Sequence, residues 1–440
     1  MTMLFLALRS VRHRPGRFAA TLLSAFLGAA IVMAFASLRD TAGAPGVDDV
    51  SAETLTTSAS VVGGYGALLV FFAIASALTV SVRQRSGELE LLRCSGATPA
   101  QLRRMVVGES VAVAVLAVVL AVGPAVLGGR VLLGVFQDSG QVARSVGYSF
   151  GPLALASGAG ITLAAAVGAA FLAVRRATRP RERRGRGRGR TVLACGALGL
   201  GAASVLSTFA FSATDPALMA APAYGAILLS VGCALLAPRL LTALLERLPA
   251  GGASGWLAVR NLRQRVDELA GTLMSLTLFT GMATATLSMQ AVESAEVRAS
   301  GLVRPADAKN LQTLNLTVVG IVVVFVCVML VNSLYAATAY RRREFGQQRL
   351  AGATPGQVLR TVFVEGLVVT VAGVLCGTVT ALAGTVPFTL VRADVLWPHQ
   401  VLGVWQAVAA VAAAVVLGTC LLTARRMLRT PAVDAVAAPV

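Results

Sequence analysis

The sequence predicts an all-α, polytopic membrane protein with about ten transmembrane helices, arranged as two parallel four-helix repeats joined by a two-helix bridge. Composition, long apolar runs and an internal repeat support this prediction. Of the 440 residues, 56% are hydrophobic and only 13% are charged, whereas a soluble protein carries roughly 25% charged residues. The mean hydropathy is +0.77, so most of the surface is expected to face lipid.

Ten apolar runs are long enough to cross a bilayer, which takes about 20 helical residues. They cover residues 18–38, 61–82, 106–135, 150–174, 191–212, 217–238, 269–290, 313–335, 362–390 and 402–424. The third and ninth runs are long and contain Pro124 and Pro387. We expect these two helices to be kinked at proline or to extend beyond the bilayer.

The distribution of Lys and Arg predicts the orientation of these spans. Of the 38 Lys and Arg residues, 31 precede the first span or follow an even-numbered span, and 7 lie on the other side. Positive charge is enriched in cytoplasmic loops, so we expect a multi-pass protein of the plasma membrane with both termini in the cytoplasm. The largest outer segments, 39–60 and 291–312, are too short for a large extracytoplasmic domain.

Charge and reactive residues argue against several functions. The formal net charge of +18 is explained by the excess of Lys and Arg in the predicted cytoplasmic loops. The Arg-rich stretch 181–190 lacks the interleaved aromatic residues of a nucleic-acid-binding arm, so we expect a cytoplasmic linker near lipid and no nucleic-acid partner. The cysteines and histidines have no metal-ligand spacing. No phosphate-binding motif is present. We therefore expect no metal, cofactor or catalytic residue, and no ATP hydrolysis by this chain itself.

An internal repeat at an offset of 256 residues is the most informative feature. Residues 85–109 (RSGELELLRCSGATPAQLRRMVVGE) and 341–365 (RRREFGQQRLAGATPGQVLRTVFVE) are identical at 11 of 25 positions. Upstream, LALRSVRHR at 6–14 resembles LAVRNLRQR at 257–265. Each half therefore has the same order: an amphipathic leading helix, two spans, a charged loop and two more spans.

The repeat divides the chain into three predicted regions. A first four-span unit covers residues 1–182, an Arg/Gly linker with two bridging spans covers 183–250, and a second four-span unit covers 251–440. Six spans separate equivalent points of the two units, so both units are expected to cross the membrane in the same direction.

The repeated loop contains the signals of a sharp turn followed by a helix start. Thr98 and Pro99 fit an N-cap with proline at the first helical position, and Gln101 completes a Thr-x-x-Gln capping box. Gly96 supplies the turn before the cap. The second copy has the same residue types at Gly352, Thr354, Pro355 and Gln357. We predict a capped helical hairpin on the cytoplasmic side, present twice.

The pattern Glu-x4-Arg-x2-Gly-Ala-Thr-Pro-x-Gln, followed by a Glu at the next span, resembles the FtsX/MacB-like permeases of ABC transporters. The two four-span units with two extra spans resemble the ten-span, duplicated members. The resemblance implies a permease that works with a separate ATP-binding subunit, which contacts the loop after the second span of each unit. Two equivalent loops in one chain favour two copies of that subunit, although an association of two permease chains stays open. It assigns this coupling role to Glu88, Arg93, Gly96, Ala97, Thr98, Pro99, Gln101, Arg104 and Glu109, and to Glu344, Arg349, Gly352, Ala353, Thr354, Pro355, Gln357, Arg360 and Glu365.

Several alternatives stay open. The four arginines could instead anchor lipid headgroups, and Glu109 and Glu365 could be carboxylates favoured at a helix start. Relatives carry a large extracytoplasmic domain for which this chain has no room, so export or extraction of a lipophilic substrate is the simpler expectation. A non-transporting cell-envelope regulator of the FtsX type is the main alternative. An ion-coupled secondary transporter would need ionisable residues in mid-membrane.

Overall fold

The computed structural model describes residues 15–84, 91–92, 94–178, 186–212, 218–247, 252–264, 266–299, 305–339, 341–396 and 398–437. Every regular element in these ranges is a helix, and no strand occurs in them. The predicted all-α class is therefore confirmed. Contacts group the chain into two compact units, one of residues 1–182 with 290–325 and one of residues 183–289 with 326–440. The three-region division drawn from the repeat stays a prediction.

Residues 15–178 of the first unit form four long helices. These are α1 (Pro15–Ala42), α2 (Asp49–Gln84), α3 (Pro99–Asp138) and α4 (Pro152–Thr178). α1 packs against the other three helices, and α4 also packs against α2 and α3. Small residues permit close approach in membrane helix bundles, and a Cβ added at Gly158 would lie 2.2 Å from the side chain of Met33. These four helices therefore form one bundle.

Side chains at the end of α1 hold the connection between α3 and α4. The carboxylate of Asp40 accepts hydrogen bonds from the N–H groups of Leu153 (3.2 Å) and Ala154 (2.7 Å) at the start of α4. The hydroxyl of Thr41 accepts from the N–H of Ser149 at 3.2 Å. A negative charge is favourable at a helix N-terminus, so α1 fixes where α4 begins.

The rest of the chain contains nine further α-helices among the described residues. They are α5 (Arg186–Leu206), α6 (Ala220–Arg247), α7 (Gly252–Gln264), α8 (Val266–Ala299), α9 (Pro305–Ala339), α10 (Arg342–Leu350), α11 (Pro355–Ala393), α12 (His399–Leu428) and α13 (Ala432–Ala437). A short 3-10 helix, Ser207–Ala210, follows α5.

The bridging helices pack inside the second unit. α5 and α6 form a close hairpin, in which a Cβ at Gly225 would lie 2.4 Å from the side chain of Val205. α6 then packs against α11, where the hydroxyl of Ser230 donates to the hydroxyl of Thr380 at 2.9 Å. A Cβ at Gly384 of α11 would lie 3.1 Å from the carbonyl of Pro222. The bridge is therefore part of the core around α11.

α8 and α11 also cross closely within the second unit. A Cβ at Gly373 would lie 2.3 Å from the side chain of Leu276, and one at Gly377 would lie 2.5 Å from Thr280. These contacts advance in the same direction along both helices, so the two helices are parallel here. Gly373 and Gly377 form a Gly-x3-Gly pair, a motif that lets membrane helices approach closely.

Eight described helices are long and apolar enough to cross a membrane. They lie at Thr21–Ala42, Ala100–Asp138, Pro152–Phe171, Thr191–Ala210, Ala220–Ala237, Thr272–Ala299, Pro355–Ala393 and His399–Leu428. The other two predicted spans lie in α2 and in α9, where Val319–Tyr335 is a shorter apolar stretch. The polytopic membrane architecture is therefore confirmed.

The two proline-containing spans are continuous helices. α3 has 40 residues and continues through Pro124, and α11 has 39 residues and continues through Pro387. At 1.5 Å per residue a helix of this length spans about 60 Å, whereas the hydrocarbon core of a bilayer is about 30 Å thick. Extension of both helices beyond the bilayer therefore agrees with their length, and a kink at either proline stays a prediction.

Candidate functional site

Both predicted helix caps are present. At the start of α3, the hydroxyl of Thr98 accepts from the N–H of Gln101 (3.3 Å), and the N–H of Thr98 donates to the Gln101 side chain (2.8 Å). At the start of α11, Thr354 and Gln357 make the same two hydrogen bonds, at 3.3 and 2.9 Å. Each cap is followed by a proline. These are complete capping boxes.

Each cap is preceded by a glycine with a left-handed backbone. Gly96 has φ +96° and Gly352 has φ +95°, values that residues with a Cβ rarely adopt. The N–H of the next residue closes each turn, from Ala97 to the carbonyl of Leu92 at 2.9 Å in the first copy. A Cβ on either glycine would meet open space. The turns therefore require glycine for its backbone conformation.

The structure separates the residues assigned to coupling into an exposed group and a buried group. The exposed residues are Gly96, Thr98, Gln101, Arg104, Gly352, Thr354, Pro355, Gln357 and Arg360; Ala97, Ala353, Glu344 and Arg349 are partly buried, and Glu109 and Glu365 are buried. Pro99 begins α3. Glu88 and Arg93 lie outside the described residues. The exposed residues form the turn surfaces, whereas the two glutamates lie behind them in α3 and α11.

Arg349 is engaged within the chain. Its Nη1 donates hydrogen bonds to the carbonyls of Leu428 (3.2 Å) and Thr430 (2.7 Å). The last carbonyls of a helix have no intrahelical partners, so this guanidinium caps the end of α12 and joins α10 to it. The sequence indicated an ATPase contact or a lipid anchor for Arg349 and gave no sign of this internal contact.

Arg341, which lies between α9 and α10, is the centre of a buried ion cluster. Its Nη2 lies 2.8 Å from Glu344 Oε1 and 3.1 Å from Glu365 Oε1. Its Nε donates to the other oxygen of Glu344 at 3.1 Å, and its Nη1 donates to the other oxygen of Glu365. Asn261 of α7 also donates to Glu365 Oε1, at 2.9 Å. Three segments of the second unit therefore meet at Glu365.

The charges in this cluster support one another. Burial opposes the charge of the Arg341 guanidinium, but the hydrogen bonds and negative charges of Glu344 and Glu365 outweigh it and raise the pKa of Arg341 above its ordinary value. The side chains of Arg341 and Glu365 are 11% and 8% exposed, whereas Glu344 is 27% exposed. The ring of Phe345 lies 5.1 Å from the guanidinium carbon. Arg341 therefore stays charged, and Glu344 connects the cluster to solvent.

Sequence reasoning assigned Glu344 and Glu365 to the site but missed Arg341 and Asn261. Arg341 matches Arg85 in the repeat, which was the available signal. Asn261 aligns with Ser10 in the leading-helix match, so the repeat gave no sign of it. Among the described residues, no group of three or more His, Cys, Asp or Glu could hold a metal ion.

These features define an all-helical, multi-pass membrane protein in which one capped turn occurs twice. The sequence model of the FtsX-like permease C-terminal region matches residues 60–180 and 316–432. The matches begin 256 residues apart, as the internal repeat does, and together cover more than half of the chain. The chain therefore belongs to the FtsX-like permease family. No curated protein matches it significantly.

Family membership and the membrane-spanning helices make the chain a permease of the ABC-transporter type. Members of this family are in general non-enzymatic membrane components that work with an ATP-binding subunit.

Proposed function

We propose that this chain is the membrane subunit of an ABC transporter and that it works with two copies of a separate ATP-binding subunit. The observation that carries the proposal is the pair of capped turns with the same backbone geometry, at Thr98 and Thr354. One chain thereby offers two docking elements of one shape. The energy for transport comes from the partner, since the sequence has no phosphate-binding motif.

We place both turns and both termini in the cytoplasm. The asymmetry of 31 against 7 Lys and Arg residues supports this orientation. α3 is also long enough to project on that side, because a helix of 40 residues extends well beyond a hydrocarbon core of about 30 Å. Its first turns, which carry Arg103 and Arg104, then project from the membrane towards the ATP-binding subunit.

Each turn is directly continuous with a helix that enters the membrane. α3 begins at the first cap and α11 at the second, and both continue into apolar segments. A displacement of either turn by the ATP-binding subunit therefore moves a spanning helix directly. The exposed cap residues Thr98, Gln101, Thr354 and Gln357 lie on the surface that the partner would contact.

The proposed substrate is lipophilic and is exported or extracted from the bilayer. At the opposite ends of the helices, the described connections 43–48 and 139–151 are short. In the first unit, Thr41 of α1 holds the 139–151 connection at Ser149, and Asp40 holds the start of α4 that follows it. Such connections offer little surface for a soluble ligand, whereas a lipophilic molecule can enter between helices from the membrane.

Affinity purification from native membranes tests the partnership. The tagged chain should bring down an ATP-binding subunit, and the complex should hydrolyse ATP, whereas the chain alone should not. The Arg188→Ala variant, in the first turn of α5, should behave like wild type. Transport by the chain alone, driven by a proton or sodium gradient, would contradict the proposal in favour of a secondary transporter. ATP-dependent association without transport of any lipophilic probe would favour the regulator.

Cysteine labelling tests the orientation. In a variant without the six native cysteines, Val50→Cys should react with a membrane-impermeant maleimide in intact cells, since Val50 is 72% exposed before the start of the second span. Leu91→Cys, at a residue that is 73% exposed beside the first turn, should react only after permeabilisation. Labelling of Leu91→Cys in intact cells would contradict the proposed orientation.

A further inference from the structure

We propose that Arg341 and Glu365 are positioning residues that hold α10 at a fixed angle to α11. In this arrangement α10, the second turn and α11 move as one body when the ATP-binding subunit displaces the turn. The inference rests on the function proposed above, and it assigns the buried cluster a role in transmitting motion to the membrane helices.

α10 depends on tertiary contacts for its position. It has nine residues, and isolated helices shorter than about 12–15 residues are marginal in water. Arg341 fixes its start through Glu365, and Arg349 fixes its end through the carbonyls of Leu428 and Thr430. Between these ends, Phe345 is buried against α11 and α12. The helix is therefore held at both ends and in the middle.

The cluster spans a bend in the chain. α9 ends at Ala339 and α10 begins at Arg342, and the N–H of Arg341 donates to the carbonyl of Thr338 at 3.1 Å in a turn. Arg341 thus belongs to the bend, while Glu365 belongs to α11. A bond between these two side chains sets the angle at which the chain leaves α9 and approaches the turn.

An ion cluster can fix the relative orientation of two segments, because its hydrogen bonds are directional, whereas apolar packing is not. Replacing a buried ion pair by apolar residues is often neutral or stabilising, so such a pair is weak support for a role in stability alone. A guanidinium that binds carboxylates through two donors has a defined geometry, whereas packed apolar side chains can slide past one another. Directional restraint is therefore the property that this cluster adds.

Asn261 fixes the other side of Glu365. Its amide donates to the same oxygen, Oε1, that receives Arg341 Nη2. Asn261 lies on α7, and Arg263 of the same helix donates to the carbonyl of Leu245 at the end of α6, at 2.7 Å. The carboxylate of Glu365 is therefore held from two directions, by Arg341 at the bend and by α7, which is itself joined to α6.

The repeat retains the three charged residues of the cluster. Arg85, Glu88 and Glu109 occupy the positions of Arg341, Glu344 and Glu365 at the offset of 256. Arg85 and Glu88 lie outside the described residues, and Glu109 is buried in α3. A requirement that acts at both turns accounts for this identity in sequence.

The test uses the double variant Arg341→Met with Glu365→Leu, in the complex with its co-purified ATP-binding subunit, reconstituted in phosphatidylethanolamine–phosphatidylglycerol nanodiscs. Because apolar replacement of both ions is tolerated by folds, the variant should keep its thermal midpoint and bind the subunit like wild type. Its permease-dependent ATP turnover should nevertheless fall by at least about tenfold. Wild-type turnover in a folded double variant would overturn the inference.

A distance measurement provides a readout independent of ATP. Spin labels at Gln347 on α10 and Leu367 on α11, both exposed, should give a narrow distance distribution in the wild type and a broad one in the double variant. Arg341→Lys keeps the positive charge but loses the planar guanidinium with its paired donors, so it should also broaden the distance distribution. A narrow distribution in both variants would show that the cluster does not position α10.

Glu246→Gln is the matched control, because it makes the same neutralisation as Glu365→Gln at an exposed carboxylate near the end of α6. It should leave distances and turnover unchanged, whereas Glu365→Gln should broaden the distances. If no ATP-binding subunit accompanies the wild type, the proposed function fails. The distance measurement would still decide whether the cluster holds α10.

Discussion

The two capped turns share the same backbone geometry but differ in the side chains on their surfaces. The cap residues Thr98 and Thr354 have the same φ and ψ of −72° and 152°. The residues that lead into the first turn are Leu91 and Leu92, which are 73% and 39% exposed. Gln347 and Gln348 occupy the matching positions before the second turn. Shape is therefore what the two copies share, and the polarity of the contact surface is where they differ.

This difference separates two requirements on a docking element. The glycine and the cap determine how the turn is held on its helix, and both copies retain them. The flanking side chains determine what the turn can touch, and these are leucines in the first copy and glutamines in the second. If each turn receives one ATP-binding subunit, the first contact is expected to be more apolar than the second.

The largest expected effect comes from destroying the shared shape. Gly96→Pro combined with Gly352→Pro should abolish co-purification of the ATP-binding subunit, because proline is locked near −65° and costs about 3 kcal/mol or more where the backbone cannot adapt. At Gly352 it also removes the N–H that donates to the carbonyl of Arg349 at 3.0 Å. The measurement is the ratio of ATP-binding subunit to permease after purification.

Gly356→Ala is the control for this change. Gly356 lies inside α11, where a Cβ would come no closer than 4.0 Å to Thr354, and the first copy already has Ala100 at the matching position. Alanine should therefore be neutral or slightly stabilising. Normal recovery of the subunit with the double proline variant would mean that turn shape is not what the partner recognises.

An intermediate effect is expected from exchanging the surfaces. Leu91→Gln with Leu92→Gln should weaken binding at the first turn by about tenfold or more, since a buried leucine contributes roughly 1.5–3 kcal/mol. Gln347→Leu with Gln348→Leu should not weaken binding at the second turn. Affinity is measured by titrating the ATP-binding subunit onto reconstituted permease. Equal losses from the two exchanges would remove the proposed difference between the contacts.

The smallest effect is expected from single caps, and it should be the same in both copies. Thr98→Val and Thr354→Val each remove one accepting hydroxyl, which costs about 1 kcal/mol. Hydrogen exchange of the first turns of α3 and α11 measures this loss. Gln101→Glu should be silent, because glutamate also completes a capping box. A clear difference between the two valine variants would show that the turns are not held in the same way.

Features with a local signature could be predicted from the sequence. The spans follow from runs of apolar residues, and the caps follow from Thr-Pro-x-Gln after glycine, because each is decided by residues within a few positions. The contact of Arg349 with the carbonyls of Leu428 and Thr430 joins residues about 80 positions apart. A charge in a positive loop has the same appearance in sequence whether it faces lipid, a partner or a helix end.

The packing of apolar helices was equally hidden from the sequence. α6 was predicted as part of a bridge, because its residues match neither repeat. Its contact with α11 depends on Ser230 meeting Thr380 and on the absence of a side chain at Gly384. Hydropathy treats all such spans alike, so it identifies the helices without assigning their neighbours.

The contact between α6 and α11 determines where the polypeptide can be divided into two fragments. A break between α4 and α5 leaves the hairpin of α5 and α6 on the same fragment as α11. The hydrogen bond between Ser230 and Thr380 then forms within one fragment. A break between α6 and α7 puts these residues on different fragments. α6 would then enter the bilayer with the hydroxyl of Ser230 facing acyl chains until the other fragment arrived. Co-expressed halves divided before α5 should therefore complement one another better than halves divided after α6.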